Sequence, residues 1–172
     1  MSEHPYGLGL EQGAVRLVAY NPLWPQAFAE EAVRLKRGLG PLVLAIEHYG
    51  STAVPGLRAK PILDLQIGVA RIEHGLEFIE PMALLGYDYA GDQGIPEHHV
   101  FGRGVARTHL AHVVMYQSDQ WFRSLRFRDR LRREPQLRAE YEALKLELAA
   151  TTENRAEYTA GKTAFVERLC AA

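Results

Sequence analysis

Between residues 48 and 67 the chain passes from a small polar turn, through a basic pair, into an apolar run carrying one carboxylate. Gly50 lacks a Cβ, so the backbone there turns sharply or approaches a ligand closely. Ser51 and Thr52 bring hydroxyls suited to phosphate oxygens, and Pro55-Gly56 stiffens and then redirects the loop. Arg58 and Lys60 add positive charge, the first able to grip phosphate bidentately, the second a point charge. Residues 61–69 read as a central strand, and Asp64 inside it needs a cation, a donor or a raised pKa. That order suits a phosphate seat beside a metal-holding acid. A tight loop, with Asp64 paired to an arginine or a helix N-terminus, accounts for the same residues.

The flanking sequence predicts a mixed α+β fold. Residues 15–20 read as a short strand or extended lead-in. Asn21 then caps a helix with Pro22 at its first position, and Trp24, Phe28, Ala32 and Leu35 recur at helical spacing up to Gly38 and Gly40. Residues 43–48 read as a strand feeding the turn, and residues 71–85 as a helix stopped by Gly86. Residues 97–101 and 108–116 form a hairpin turning at Gly102-Arg103-Gly104. From Ser118 or Asp119 onward the pattern is helical, with helices to Arg133, from Pro135 to Ala149, and over 153–169. Tyr141, Leu144, Leu148, Tyr158 and Phe165 read as helix–helix core.

At 172 residues, 47% apolar and 24% charged, the chain has ordinary globular composition. We expect a loose tail over residues 1–14, rich in glycine, and one domain over 15–172. The formal net charge of −1 argues neither for nor against a polyanionic partner, and nucleic acid is not expected. Cys170, the only cysteine, excludes an internal disulfide and fits a cytoplasmic location. No run of 18 apolar residues exists, so no membrane span is expected.

Residues 47–57 and 59–64 resemble the GrpB family, placed within the polymerase-β-like nucleotidyltransferase superfamily. Supporting matches lie at residues 20–25, 109–114, 127–132 and 140–145. The resemblance implies a small mixed sheet flanked by helices. It also implies a Gly-Ser turn followed, about a dozen residues on, by two acids separated by one apolar residue. Gly50-Ser51 and Asp64 fit, but the second acid position holds Gln66. Paired carboxylates hold the ions of two-metal phosphoryl transfer, so a neutral amide weakens one metal site. The strand that supplies a third acid elsewhere in the superfamily carries His109 and His112 here. Glu47, beside the turn, and Glu97 are substitutes.

Seven histidines are present. His48, His109 and His112 are candidates for orienting substrate. Hairpin histidines also suit a transition metal, but neighbours such as His98 and His99 point to opposite faces of a strand, as do His109 and His112. Arg103 and Arg107 at the hairpin tip could reach a triphosphate. Six arginines crowd residues 123–133, and Glu134, Glu140, Glu142 and Glu147 are at hand to pair with them; Arg126 or Arg130 is the candidate to line a cleft.

The expected function is binding of a nucleotide or other phosphorylated small molecule. If the chain is an enzyme, the reaction is metal-assisted nucleotidyl transfer. Ser51 then seats the phosphate, Asp64 holds Mg²⁺, and Lys60 or Arg58 neutralises charge, with Gln66 and Glu47 at the reacting centre. A degenerate, non-enzymatic ligand-sensing module and a histidine-metal hydrolase are the alternatives.

Overall fold

Among the residues described by the computed structural model, 4–152 and 154–170, five strands form one mixed sheet. They are β1 (Ala45–Tyr49), β2 (Leu63–Val69), β3 (Tyr87–Tyr89), β4 (His99–Arg103) and β5 (His109–Met115), in the order β1-β2-β5-β4-β3. The central pair β2 and β5 is parallel and the others are antiparallel. This is the mixed α+β architecture expected from the sequence. Among the described residues no helix is long and apolar enough to cross a membrane.

The alternation of β2 sorts its side chains between two unlike faces. Leu63, Leu65, Ile67 and Val69 are fully buried against Trp24, Ala27, Leu35 and Leu39 of α1 (Trp24–Leu39). Phe78 and Met82 close the same core, from the region of α2 (His74–Glu77) and α3 (Ile79–Leu84). The other face carries Asp64 and Gln66. By register these share it with Tyr49 and Glu47 on β1 and with Leu110 and His112 on β5. Across this polar face lies α4 (Asp119–Arg133), whose Trp121 packs over Gly68; a Cβ on Gly68 would come within 2.9 Å of the indole. The Ser118 hydroxyl caps α4 by accepting from the Trp121 backbone N–H at 3.2 Å.

Three further helices follow: α5 (Pro135–Thr151), α6 (Arg155–Gly161) and α7 (Thr163–Cys170). A second core holds the turn to this helical layer. Val54 and Leu57, just past Ser51, are fully buried with Leu131, Tyr141 and Leu169. The turn is therefore clamped between the sheet and the C-terminal helices.

Several local expectations need correction. The segment anticipated as a tail is seated on the fold over residues 4–14. Leu8 and Leu10 are buried, Gly9 N–H donates to the Pro61 carbonyl, and Leu10 bridges Arg107; residues 1–3 lie outside the described residues. Asn21 acts one turn early, its side chain accepting from Leu23 N–H at 2.9 Å, so Pro25 and not Pro22 stands in the first turn of α1. The helix expected over 71–85 breaks at Phe78. Pro81 has no N–H and its ring crowds the carbonyl four residues back, which is where α2 ends. The hairpin turns after Arg103, since β4 pairs through Arg103↔His109. The last helix divides at Lys162, after the poor helix former Gly161; residue 153, its expected start, lies outside the described residues.

Candidate functional site

The turn after β1 opens on a cavity of about 220 Å³. Gly50, Ser51, Thr52, Lys60 and Asp64, all singled out from the sequence, line it together. Gly50 has a φ of +72°, and a Cβ there would meet Asp64 Oδ2 at 2.5 Å, so turn and acid sit in direct apposition. The carboxylate is 30% exposed, and His112 Nε2 lies 3.8 Å from its Oδ1.

The opposite wall comes from the C-terminal helices. Lys145, Arg155, Lys162, Tyr141 and Tyr158 face the turn. Lys145 is 1% exposed; its Nζ donates to Ser51 Oγ at 3.2 Å and to the Arg58 carbonyl, and lies 5.0 Å from the Tyr141 ring centroid. Lys60 and Lys162 approach the Tyr158 ring at 4.8 and 4.4 Å. Four cationic side chains thus surround a single carboxylate. Their enclosure has a cost. Burial, then the Lys162 charge, pulls the Lys145 amine down to about 7. Burial, then Lys60, pulls Lys162 to about 8, and Lys60 is lowered by burial and by Arg155. Such a cluster favours an anion that supplies the missing negative charge.

Of these cations, Lys145, Arg155 and Lys162 were missed in the sequence. Lys145 stands four residues after Tyr141 on a stripe with Leu144 and Leu148, and a lysine on an apolar stripe was the one available signal.

Other candidates lie elsewhere. The Gln66 side chain is buried, at 1% exposure for the residue, and its amide nitrogen donates to the Trp121 carbonyl at 3.1 Å, tying sheet to α4. Glu47 pairs with Arg128 at 2.8 Å in a separate hollow. The Arg58 backbone contacts Glu142 and Lys145, while the residue is exposed outside the cavity wall. Arg103 pairs with buried Glu31 on the far face of the sheet, and Arg107 with Asp88. Arg130 is held by Glu134 and the Leu169 carbonyl.

The histidines divide between the faces as strand alternation dictates. His48 stacks on Phe28 and bonds Thr52 Oγ1 at 3.0 Å, behind the turn; burial takes its imidazole down to about 4. His109 is buried on the Glu31 side and likewise falls to about 4 through burial. His112 alone of the three stands at Asp64, with Nδ1 2.8 Å from His98 Nε2. Among the described residues no group of three His, Cys, Asp or Glu side chains converges on a metal position. The donor set of this cavity offers one carboxylate, Asp64, that could ligate a single cation. It does not fit two protein-held ions, because the Gln66 amide and the Glu47 carboxylate are already engaged.

The comparisons with known proteins bear on this geometry. The family model described as GrpB protein matches residues 14–172. The chain belongs to the GrpB family. The glutamate-rich protein GrpB of Alkalihalophilus pseudofirmus is 35% identical over 169 residues, covering 94% of this chain and 97% of that protein. The UPF0157 protein YqkA of Bacillus subtilis is 39% identical over 155 residues, and there this GrpB chain spans only 45% of the relative's length. The crystal structure of conserved protein GrpB from Enterococcus faecalis superposes with a TM-score of 0.83 at 34% identity, covering 91% of this chain and 95% of that one.

The Gln66 geometry carries a prediction. Gln66→Asp removes the donor to the Trp121 carbonyl and places a carboxylate against it. It will lower stability by about 2 kcal/mol instead of completing an acid pair. Urea unfolding reads this as a fallen midpoint at unchanged slope. A wild-type midpoint would show that the carbonyl does not need the amide.

Proposed function

We propose that this GrpB protein binds a nucleotide or other phosphorylated small molecule, its phosphate chain lying in the cavity over Ser51–Ala53. The observation that carries the reading is the enclosure of Lys60, Lys145, Arg155 and Lys162 around one carboxylate. Amines whose protonation is opposed by burial and by one another are stabilised by a polyanion between them. A single phosphate leaves part of that charge uncompensated, so a di- or triphosphate is the better match. The turn-to-acid spacing from Gly50-Ser51 to Asp64 supports ancestry in the polymerase-β-like nucleotidyltransferases. In the enzymatic form of the reading, Asp64 holds one Mg²⁺ that arrives with the phosphates. Lys60 and Lys162 neutralise the charge, and Ser51, with Lys145 behind it, fixes the chain.

A second reading has its own observation. Gln66 and Glu47 are committed to Trp121 and Arg128, which favours a ligand-sensing module that keeps the phosphate seat and has lost transfer chemistry.

Thermal shift separates these readings. Tripolyphosphate and nucleoside triphosphates, with and without Mg²⁺ or Mn²⁺, are screened against wild type, Asp64→Ala and Lys162→Ala. A ligand that binds only the native state raises the melting temperature by mass action. We expect a tripolyphosphate shift that Lys162→Ala abolishes. A metal-dependent increment lost in Asp64→Ala supports the transferase form; a metal-independent shift kept in Asp64→Ala supports the sensing module. No shift with any phosphate compound would end both.

A further inference from the structure

Gly50 is the wall of two cavities. Beyond it lies a wider space of about 1120 Å³, bounded by the loop before β4, the first half of α4, and α7. Cavities of several hundred Å³ and upward accommodate whole small molecules. Ile95, Pro96, Phe127 and Val166 give this one an apolar lining, and Arg123 and Arg126 enter from α4.

The arginines of α4 separate by what they touch. Arg128 binds Glu47, Asp129 and the His48 carbonyl. Arg130 binds Glu134 and the Leu169 carbonyl, and Arg132 the Ala53 carbonyl. These three build the fold. Arg123 and Arg126 stand three residues apart on one helix face, line the wide cavity, and make no side-chain ion pair among the described residues. Asp119 also lines the cavity and pairs with neither. Unpaired guanidinium groups beside an apolar wall suit a carboxylate, sulfonate or phosphate carried on an apolar body.

Two hydrogen bonds lead from the wide cavity toward Asp64. Gln120 Nε2 lies 3.1 Å from His98 Nδ1, and His98 Nε2 lies 2.8 Å from His112 Nδ1. His112 Nε2 then faces Asp64 Oδ1 at 3.8 Å. Asp64 fronts the lysine-rich cavity, while His98 and Gln120 front the wide one.

We infer that the wide cavity is a second ligand site, for an organic anion with an apolar body, filled alongside the phosphorylated ligand. The inference rests on the proposed function only for the identity of the neighbouring ligand.

Anilinonaphthalene sulfonate, an anionic aromatic amphiphile, is the probe, followed by fluorescence and by calorimetric stoichiometry. Arg123 and Arg126 are both exposed, so the Arg123→Ala/Arg126→Ala double variant tests binding without disturbing the core, and its melting temperature verifies the fold. The expected result is one probe per chain, at least tenfold weaker in the double variant, and retained when tripolyphosphate saturates the neighbouring cavity. Lys162→Ala should show the converse, losing tripolyphosphate and keeping the probe. The inference is overturned if wild type does not bind the probe, if the double variant binds it as tightly, or if tripolyphosphate displaces it. Arginine-dependent probe binding without any tripolyphosphate binding would leave the second site standing and remove the phosphate reading instead.

Discussion

Lys145→Met will weaken two pH dependences that run in opposite directions in the wild type, leaving the part that Lys162, lowered to about 8, sustains. Without ligand, wild type should gain stability from pH about 7 toward 9. Burial, and then Lys162, pulls the amine down to about 7 in the folded state, against 10.5 for a free lysine. Between those values the unfolded chain binds the extra proton, so stability rises with pH. Affinity for a polyphosphate should fall over the same interval, because the amine must regain its proton to serve the anion. Methionine approximates the volume and removes the charge. It also leaves the Ser51 hydroxyl and Arg58 carbonyl without the amine. At pH 7 the variant is expected to bind tripolyphosphate roughly 10- to 100-fold more weakly, the scale of one charge-assisted hydrogen bond. Urea midpoints and calorimetric titrations at pH 7 and 9, on both proteins, read both slopes. Comparing variant with wild type cancels the ligand's own titration. Equal slopes in the two proteins would refute a titrating Lys145.

The second large effect is on stability. Gly50→Ala should cost about 3 kcal/mol, from two separable sources. The backbone φ of +72° strains any residue bearing a Cβ, and that Cβ would stand 2.5 Å from Asp64 Oδ2. Truncating the acid removes the Oδ2 contact, leaving only the residue-64 Cβ at 3.1 Å, and does not touch the first source. Gly50→Ala/Asp64→Ala should therefore be more stable than the sum of the single effects predicts, with about 1 kcal/mol of backbone strain remaining. A double variant that merely adds the two losses would show that turn and acid are not in contact.

Both experiments address a site that was half legible. Gly50, Ser51, Thr52, Lys60 and Asp64 lie within a short stretch, and a strand–turn–strand path brings them together locally. Arg58, a neighbour of Lys60, shows the limit: sequence supplies a charge but not its direction, and Arg58 is exposed away from the cavity. Arg103 and His109 show another, since strand alternation puts them on the Glu31 face, with Tyr87. Gln66 read as a defective acid; the structure shows a side chain holding α4 to the sheet.

What the sequence determined by itself was the family, the mixed α+β character and the turn-to-acid motif, because each depends on neighbours along the chain. Only the tertiary structure decided which cations complete the site. Lys145 meets Ser51 across a separation of 94 residues. Helical periodicity places a lysine on the buried stripe of α5 but does not say which surface that stripe covers. That is fixed by Val54 and Leu57 packing with Leu131, Tyr141 and Leu169, an apolar contact that carries the polar site with it.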